Sequence, residues 1–493
     1  MKRIKEYEMK KKLALVLAFL LVLSSFSLVA CSNGDTKNGK GGNDGEIITE
    51  LDPNNRYATT YSPNIPYELK FTGETFNFLI GSIGYHMYAE EENSDLINDT
   101  TYRRNNTVAD RFGINLNIVK SGFVEDGQGQ IDATMHIRSL IESNDTTYHA
   151  FSQTQNDGMP QLILEGYFVD WNTVPYINLQ DEWWHQNISD DLSFGDKIYV
   201  MTGDYALYLQ RINCLLFNKE IFDELGLEYP YQDVLDGTWT WDKFLELVKQ
   251  GAADLNGDGL MTFEDDQWGL LGWAPELCSA MLVSSGYVAL EHDADNMPVL
   301  NQNVDEAHEI FDRIINVFKD GQYAWSETQS YADQFALFGE GKVMFKDAFL
   351  FHMTSYSDTE FDFGVLPYPK WDEETPYMSR SADVSPLTYI PVTNTNLELT
   401  GAVLEEMAYQ SAKELTPTFF DIVLTTKSTR DVESEEMLPI IKNSSRFFYS
   451  GYSPYIPAMV ATKINTFSSS YAANLSVYQK NLEDMRELLL DQR

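Results

Sequence analysis

The chain has 493 residues, enough for at least two domains with separate cores, and its 43% hydrophobic and 13% aromatic content is that of a globular protein. Asp and Glu outnumber Lys and Arg by 75 to 35, a net charge of −40. A field of that sign repels nucleic acid and anionic membrane surfaces, so nucleic-acid binding is set aside, and it favours a dissolved monomer.

The N-terminus departs from this acidic pattern. Lys10, Lys11 and Lys12 precede an apolar run over 13–23 and a small-residue stretch ending at Cys31. A basic flank, a short apolar core and a small-residue end describe a secretory signal over residues 1–30, with Met9 offering a more conventional start than Met1. Leu28-Val29-Ala30-Cys31 resembles a lipobox, where cleavage leaves Cys31 as a lipid-bearing N-terminus. A plain membrane anchor is the alternative, but the run is barely long enough to span. Removing the signal leaves a net charge of −44. The expected location is therefore the outer face of the cell membrane, held there through Cys31. Residues 31–66, rich in Gly, Asn and charge at their start, read as a flexible tether. Cys214 and Cys278 stand in no CxxC or metal-ligand pattern and read as buried free thiols.

Strands and helices then alternate, which predicts an α/β layer with a mostly parallel sheet. Strands are expected over 76–80, 114–119 and 149–152, and helices over 98–112, 131–141 and 159–164. Ligands in such sheets bind beyond the carboxyl ends of strands, which singles out the loops 82–88 and 152–157. A strand is expected over 196–202, followed by a crossing into a second lobe near 205–213. That lobe opens with a strand over 215–219 and a helix over 220–225 closed by Gly226, then a helix over 241–249 with Thr240 as its N-cap. Helices over 304–319 and 330–338 and strands over 342–345 and 361–366 follow. A return crossing is expected near 383–390, taking the chain back to the first lobe over 396–424, and a third crossing near 425–431 puts the C-terminal helices on the second lobe.

The densest chemical signal lies at 254–265. Asp254, Asn256, Asp258, Thr262 and Asp265 fall at positions 1, 3, 5, 9 and 12 of a twelve-residue loop, with Gly259 at 6 and the Leu260 carbonyl at 7. That oxygen spacing is what a calcium loop needs. An Asn/Gly turn with a solvated acidic edge is the plainer reading, and Asp265 stands where a sensor loop has Glu, with Glu264 and Asp266 as alternatives. No helix is expected directly after the loop, so the metal reads as a structural clip rather than a switch.

The segments FNKEIFDELGL, TWTWDKFLELVKQ and DQWGLLGW, with FALFGEGKVMF and DFGVLPYP further on, resemble the family 1 extracellular solute-binding proteins of bacterial ABC importers. TRDVESEEM, at 429–437, is similar to a Gram-positive lipoprotein subgroup. The resemblance spans roughly residues 70 to 490. It implies a two-lobed periplasmic-binding-protein-like fold of type II, each lobe a mostly parallel sheet flanked by helices, with the ligand cleft between them closing by a hinge. Lobe 1 is then expected from 67–210 and 387–430, and lobe 2 from 211–386 and 431–493.

The resemblance also implies a role: capture of a mono- or oligosaccharide and its delivery to ABC permease subunits, with no bond made or broken. Sugars present flat apolar faces rimmed by hydroxyls, so their sites pair aromatic platforms with amide, carboxylate and Arg groups. Position in the family pattern marks Tyr85, His86, Gln153, Gln155 and Asp157 on the first lobe. It marks Tyr208, Arg211 and Asn213 at the first crossing, and Trp273, Glu276, Lys346, Asp347 and Phe349 on the second lobe. Trp239, Trp241 and Trp268 read as core. No HExxH, GxSxG, P-loop or GxGxxG is present, and the seven histidines are scattered. Abundant carboxylates keep a secreted glycan hydrolase or lyase as an alternative. A receptor for peptides or other polar solutes, or one serving a signalling partner, is the other.

Overall fold

The computed structural model describes residues 60–447, apart from 82–83, 121–128, 155–157, 289, 302, 320–323, 326–330, 383–384 and 426–431, together with helical positions between 473 and 489. The chain divides into Met1–Ala58 and Thr59–Arg493. The signal, Cys31 and most of the tether lie outside the described residues. No described helix is long and apolar enough to cross a membrane.

Two sheets organise the second unit. In the first, β1 (Thr75–Ile80) pairs in parallel with β2 (Asn115–Lys120) and with β3 (Ala150–Gln153), whose outer edge carries the antiparallel β12 (Leu387–Tyr389). The helix α1 (Leu96–Phe112) joins β1 to β2; Asp95 caps its start by accepting from the Asn98 N–H. It stops at Gly113, whose φ of 70° is left-handed, the conformation for which glycine is the usual helix end. The helix α2 (Gly129–Glu142) lies between β2 and β3 in the chain.

The second sheet has the order β10-β4-β9-β5-β8, formed by Phe363–Leu366, Asn213–Asn218, Val343–Phe349, Trp268–Leu271 and Ala324–Trp325. Here the expectation of a mostly parallel sheet needs correction. β4 is antiparallel to both neighbours, and only β9-β5-β8 are parallel. The reason is entry: β4 arrives from the other lobe rather than through a helix crossover, so nothing forces it to run with its neighbours. β4 and β9 are buried on both faces, β4 through its apolar centre Cys214–Phe217 and β9 with Lys346 and Asp347 buried among apolar neighbours.

The expected helices α6 (Trp241–Gln250), α8 (Val304–Lys319) and α9 (Tyr331–Gly339) are present. Thr240 holds the N-cap position of α6, but its side chain makes no capping bond. Helices that escaped the sequence reading include α5 (Tyr231–Asp236) and α7 (Ala274–Ser284). α5 is too short to show a period. α7 is nearly apolar all round, which erases the amphipathic signature. The strand expected over 196–202 is not formed; only isolated bridges, such as Met201 with Thr388, occur there. Residues 201–212 and 381–388 instead bridge each other as the antiparallel pair of crossings between sheets. Trp239, Trp241 and Trp268 are buried, as are Cys214 and Cys278.

After the return crossing, α10 (Leu397–Gln410) passes through a π turn at Ser411–Leu415 into α11 (Thr416–Thr425). Most of the expected third crossing lies outside the described residues. α12 (Val432–Asn443) packs on β10 and α5, with the Tyr231 hydroxyl 2.9 Å from Ser434 Oγ. α10 carries a buried carboxylate hub. Glu405 accepts from Ser62, Asn64, Trp183 and Trp184, and Glu406 pairs with Arg111 beneath the Tyr61 ring. This hub fastens the segment that emerges from the tether. Burial pushes the Glu405 carboxyl up to about 7, while its hydrogen-bond donors pull it back down.

Candidate functional site

The chain places most of its candidate residues along one edge, where β1, β3, β5 and β9 end and β4 begins. On the first lobe, Gly81 follows β1 and abuts Gln153, the last residue of β3. A Cβ on Gly81 would stand 2.6 Å from Gln153 Oε1, so only glycine lets that amide fold across the strand end. Gln153 is 5% exposed, and its Nε2 has no partner among the described residues. Gln155 and Asp157 lie outside the described residues. Tyr85 belongs to the 3-10 turn Gly84–Met87, and its side chain is likewise outside them. His86, in the same turn, is held in neutral form: burial, then the charge of Arg211, lowers its pKa to about 4.

One cation fixes this turn. Arg104 of α1 is 2% exposed and donates to the Met87 carbonyl at 3.1 Å, the Tyr205 carbonyl at 2.9 Å and Ser411 Oγ at 3.0 Å. It thereby ties the His86 turn to the first crossing and to the π turn. Burial drops its pKa to about 9.

At the first crossing, Arg211 lies over the Phe351 ring, 4.5 Å from its centroid. Phe351 stacks against Phe349 with centroids 5.9 Å apart and touches His352. His352 Nδ1 accepts from the Phe349 N–H at 3.1 Å, and burial lowers its pKa to about 3. Arg211 is thus in contact with Phe351, which packs on His352, and its charge is felt by His86 of the first lobe. Tyr208, by contrast, is core: 2% exposed and packed on His185 with centroids 4.9 Å apart. That departs from its placement as a contact residue, and the cause is its 3-10 turn, which aims it into the lobe.

The second lobe supplies a connected polar set. Asp347 accepts from the Tyr368 hydroxyl at 2.5 Å and from Asn213 Nδ2 at 3.3 Å, while Asn213 Oδ1 accepts from Arg380 at 3.2 Å. Arg380 also pairs with Glu276. Lys346 Nζ donates to the Asp347 carbonyl. Burial raises Asp347 to about 6 despite the neighbouring Lys346, and it lowers Lys346. Gly272 permits the close approach of β5 to this set, since a Cβ there would meet the Asp347 Cβ at 2.9 Å. Trp273 follows directly as the N-cap of α7 and is 42% exposed. An exposed aromatic residue therefore follows directly on the strand end that approaches Asp347.

Sequence reasoning missed Arg380, Tyr368, Phe351 and His352. Tyr368 lies inside the quoted DFGVLPYP segment and was legible there. Arg380 belongs to a two-residue strand with no pattern of its own.

The loop 254–265 folds as a ring around its own acidic side chains. Asp254 accepts from the Gly257 and Gly259 N–H groups at 2.6 and 2.7 Å, Asn256 from Asp258 at 2.8 Å, and Asp258 from Leu260 at 2.8 Å. Gly257 and Gly259 have φ of 76° and 82°. Asn256 Nδ2 comes within 3.5 Å of Asp265 Oδ2. Asp266 takes a structural part instead: its two oxygens accept from the Leu255 and Thr262 N–H groups, which hold it below the usual carboxylate range. Among the described residues no three His, Cys, Asp or Glu side chains converge as a metal site on their own. A cation here would need Asn256, Thr262 and the Leu260 carbonyl as well.

A family model described as bacterial extracellular solute-binding protein matches residues 137–408. No curated protein sequence matches the chain. Among solved structures, UspC of M. tuberculosis is similar at 11% identity and a TM-score of 0.55, over 83% of this chain and 100% of that one. RafE from Streptococcus pneumoniae is similar at 13% and 0.51, over 85% and 97%. A cyclo/maltodextrin-binding protein complexed with maltotetraose is similar at 13% and 0.51, over 86% and 98%. At such identities the likeness carries the fold: two α/β lobes with mixed sheets flanked by helices.

Proposed function

We propose, since this chain belongs to the bacterial extracellular solute-binding proteins, that the solute it supplies to an ABC importer is a mono- or oligosaccharide. Members of this family are transport receptors rather than enzymes, so the chemistry required is reversible capture. The observation that carries the sugar reading is Trp273. Trp273 is 42% exposed directly after β5, in the same stretch as Gly272, which abuts Asp347, and Glu276, which pairs with Arg380. An exposed indole in such a stretch suits a ligand with an apolar C–H face and a hydroxyl rim. A structural neighbour complexed with maltotetraose supports the same class. His86 and Gln153 would contribute from the first lobe, and Gln155, Asp157 and Tyr85 remain candidates there from the sequence.

A thermal-shift screen over mono- and oligosaccharides tests this. Stabilisation by mass action is expected for at least one glycan, about 2.7 kcal/mol at a hundredfold excess over Kd. Trp273→Ala should weaken that glycan by roughly tenfold, the equivalent of about 1.4 kcal/mol of lost ring contact. Shifts with peptides or amines alone would contradict the sugar reading.

Two further parts of the reading rest on sequence. The lipobox-like stretch supports anchoring at the outer membrane face through Cys31. The spacing of Asp254, Asn256, Asp258, Leu260, Thr262 and Asp265 supports a structural Ca2+, held by five side chains and one carbonyl. It would brace the link from α6 to β5, the strand that ends at Trp273. Adding calcium to chelator-treated protein should release heat and raise the melting temperature. No heat with an unchanged melting temperature would remove the metal from the account.

A further inference from the structure

Arg211 stands apart from the other arginines of this chain. Every other described arginine faces a carboxylate or, in the case of Arg104, a set of oxygen acceptors. Arg211 has neither among the described residues, although the chain holds 75 acidic residues against 35 basic ones. Its one contact of this kind is the Phe351 ring at 4.5 Å, and a cation–π contact engages the charge without supplying any N–H with an acceptor. The side chain is half-buried. A guanidinium in that position loses part of its hydration, and a sequence so rich in Asp and Glu had every opportunity to pair it.

Its surroundings fit a ligand rather than an internal partner. Phe351 of the second lobe contacts it and is itself packed on His352, while the His86 turn of the first lobe lies within range of its charge, so Arg211 stands at the crossing between the lobes. Both imidazoles are neutral there and bring hydrogen-bonding capacity without added charge. The planar fork of a guanidinium matches a carboxylate or sulfate in a two-point contact. We propose that Arg211 receives an acidic group of the captured solute, which makes the substrate class an acidic oligosaccharide bearing a carboxylate or sulfate. This inference rests on the carbohydrate reading above and narrows it.

The test is calorimetric titration of wild type, Arg211→Gln and Arg211→Lys with length-matched hexuronate, sulfated and neutral oligosaccharides. An acidic probe should bind wild type roughly tenfold or more tightly than its neutral counterpart, the scale of one charge-assisted hydrogen-bond pair. Arg211→Gln should erase that preference while leaving the melting temperature of the ligand-free protein unchanged, and Arg211→Lys should keep part of it. Hexuronate and sulfated arms identify which anion is used. A preference for neutral glycans, or an acidic preference that survives Arg211→Gln, overturns the role of Arg211 and leaves the carbohydrate reading standing. Binding of peptides or amines with no glycan bound overturns both.

Discussion

Arg104→Met should unfold several degrees below wild type and bind its solute more weakly, although residue 104 is not itself expected to touch that solute. The substitution keeps much of the packing volume but strands the Tyr205 carbonyl in a buried site and leaves the Met87 carbonyl with the Asn105 amide alone. A buried acceptor left without a donor costs about 1 to 3 kcal/mol, and a loss of that size is expected. Arg104→Lys should not restore it, because one ammonium cannot span acceptors on three separate elements. Thermal unfolding followed by circular dichroism reads the first effect. The second follows from the link between the Arg104 fork and the turn carrying His86, and isothermal titration with the screened glycan reads it. Stability within error of wild type would show that the fork is not what holds turn, crossing and π turn together.

Asp347→Asn should remove a decline in stability with rising pH between about 4 and 6, read as the difference from wild type. Burial raises the folded-state pKa of Asp347 to about 6, from an ordinary value near 3.8. Between those values the folded state binds a proton that the unfolded state has lost, so this carboxyl favours folding below the window. That contribution declines as pH rises through it and is gone above about 6. Over the whole window it amounts to roughly 1 to 3 kcal/mol, with Lys346 and Arg380 holding part of it back. Buried neutral histidines act in the opposite sense. His86, His185 and His352 have pKa values lowered to about 4, 3 and 3, so their contribution grows with pH up to the ordinary histidine range. The difference between wild type and Asp347→Asn cancels them. A difference curve that is level from pH 4 to 6 would mean that Asp347 is not the buried acid described.

Local signals carried much of this fold. Helix α3, Met159–Leu164, and helix α8, Val304–Lys319, have the bounds their apolar spacing implies. Gly113 and Gly226 end their helices in the left-handed conformation that their positions suggested. What failed was non-local. The direction of β4 depends on which lobe the chain has just left, and nothing between Asn213 and Asn218 encodes that. Residues 196–202 hold the short apolar run of a strand, yet pairing across the sheet is not available to them, because they lead into the crossing beside Thr388.

The site followed the same division. Trp273 and Asp347 could be marked because motif and strand end coincide there. Tyr208 carried the right chemistry on a turn that buries it. Arg380 joins the site through a contact with Asn213 across 167 positions of chain, which no local pattern records. That no described acid pairs with Arg211 is also invisible in sequence, since it depends on which acids fail to reach it.

The central claim is reversible capture of a glycan by the two lobes, and equilibrium titration with recovery of the ligand tests it most directly. Purified protein is titrated to saturation with the glycan that shifts its melting temperature, denatured after prolonged incubation, and the glycan analysed by mass. Saturable binding at one site per chain with the ligand recovered intact is the predicted result. Recovery of shortened or unsaturated products would contradict it, since a hydrolase or lyase leaves those and a transport receptor does not.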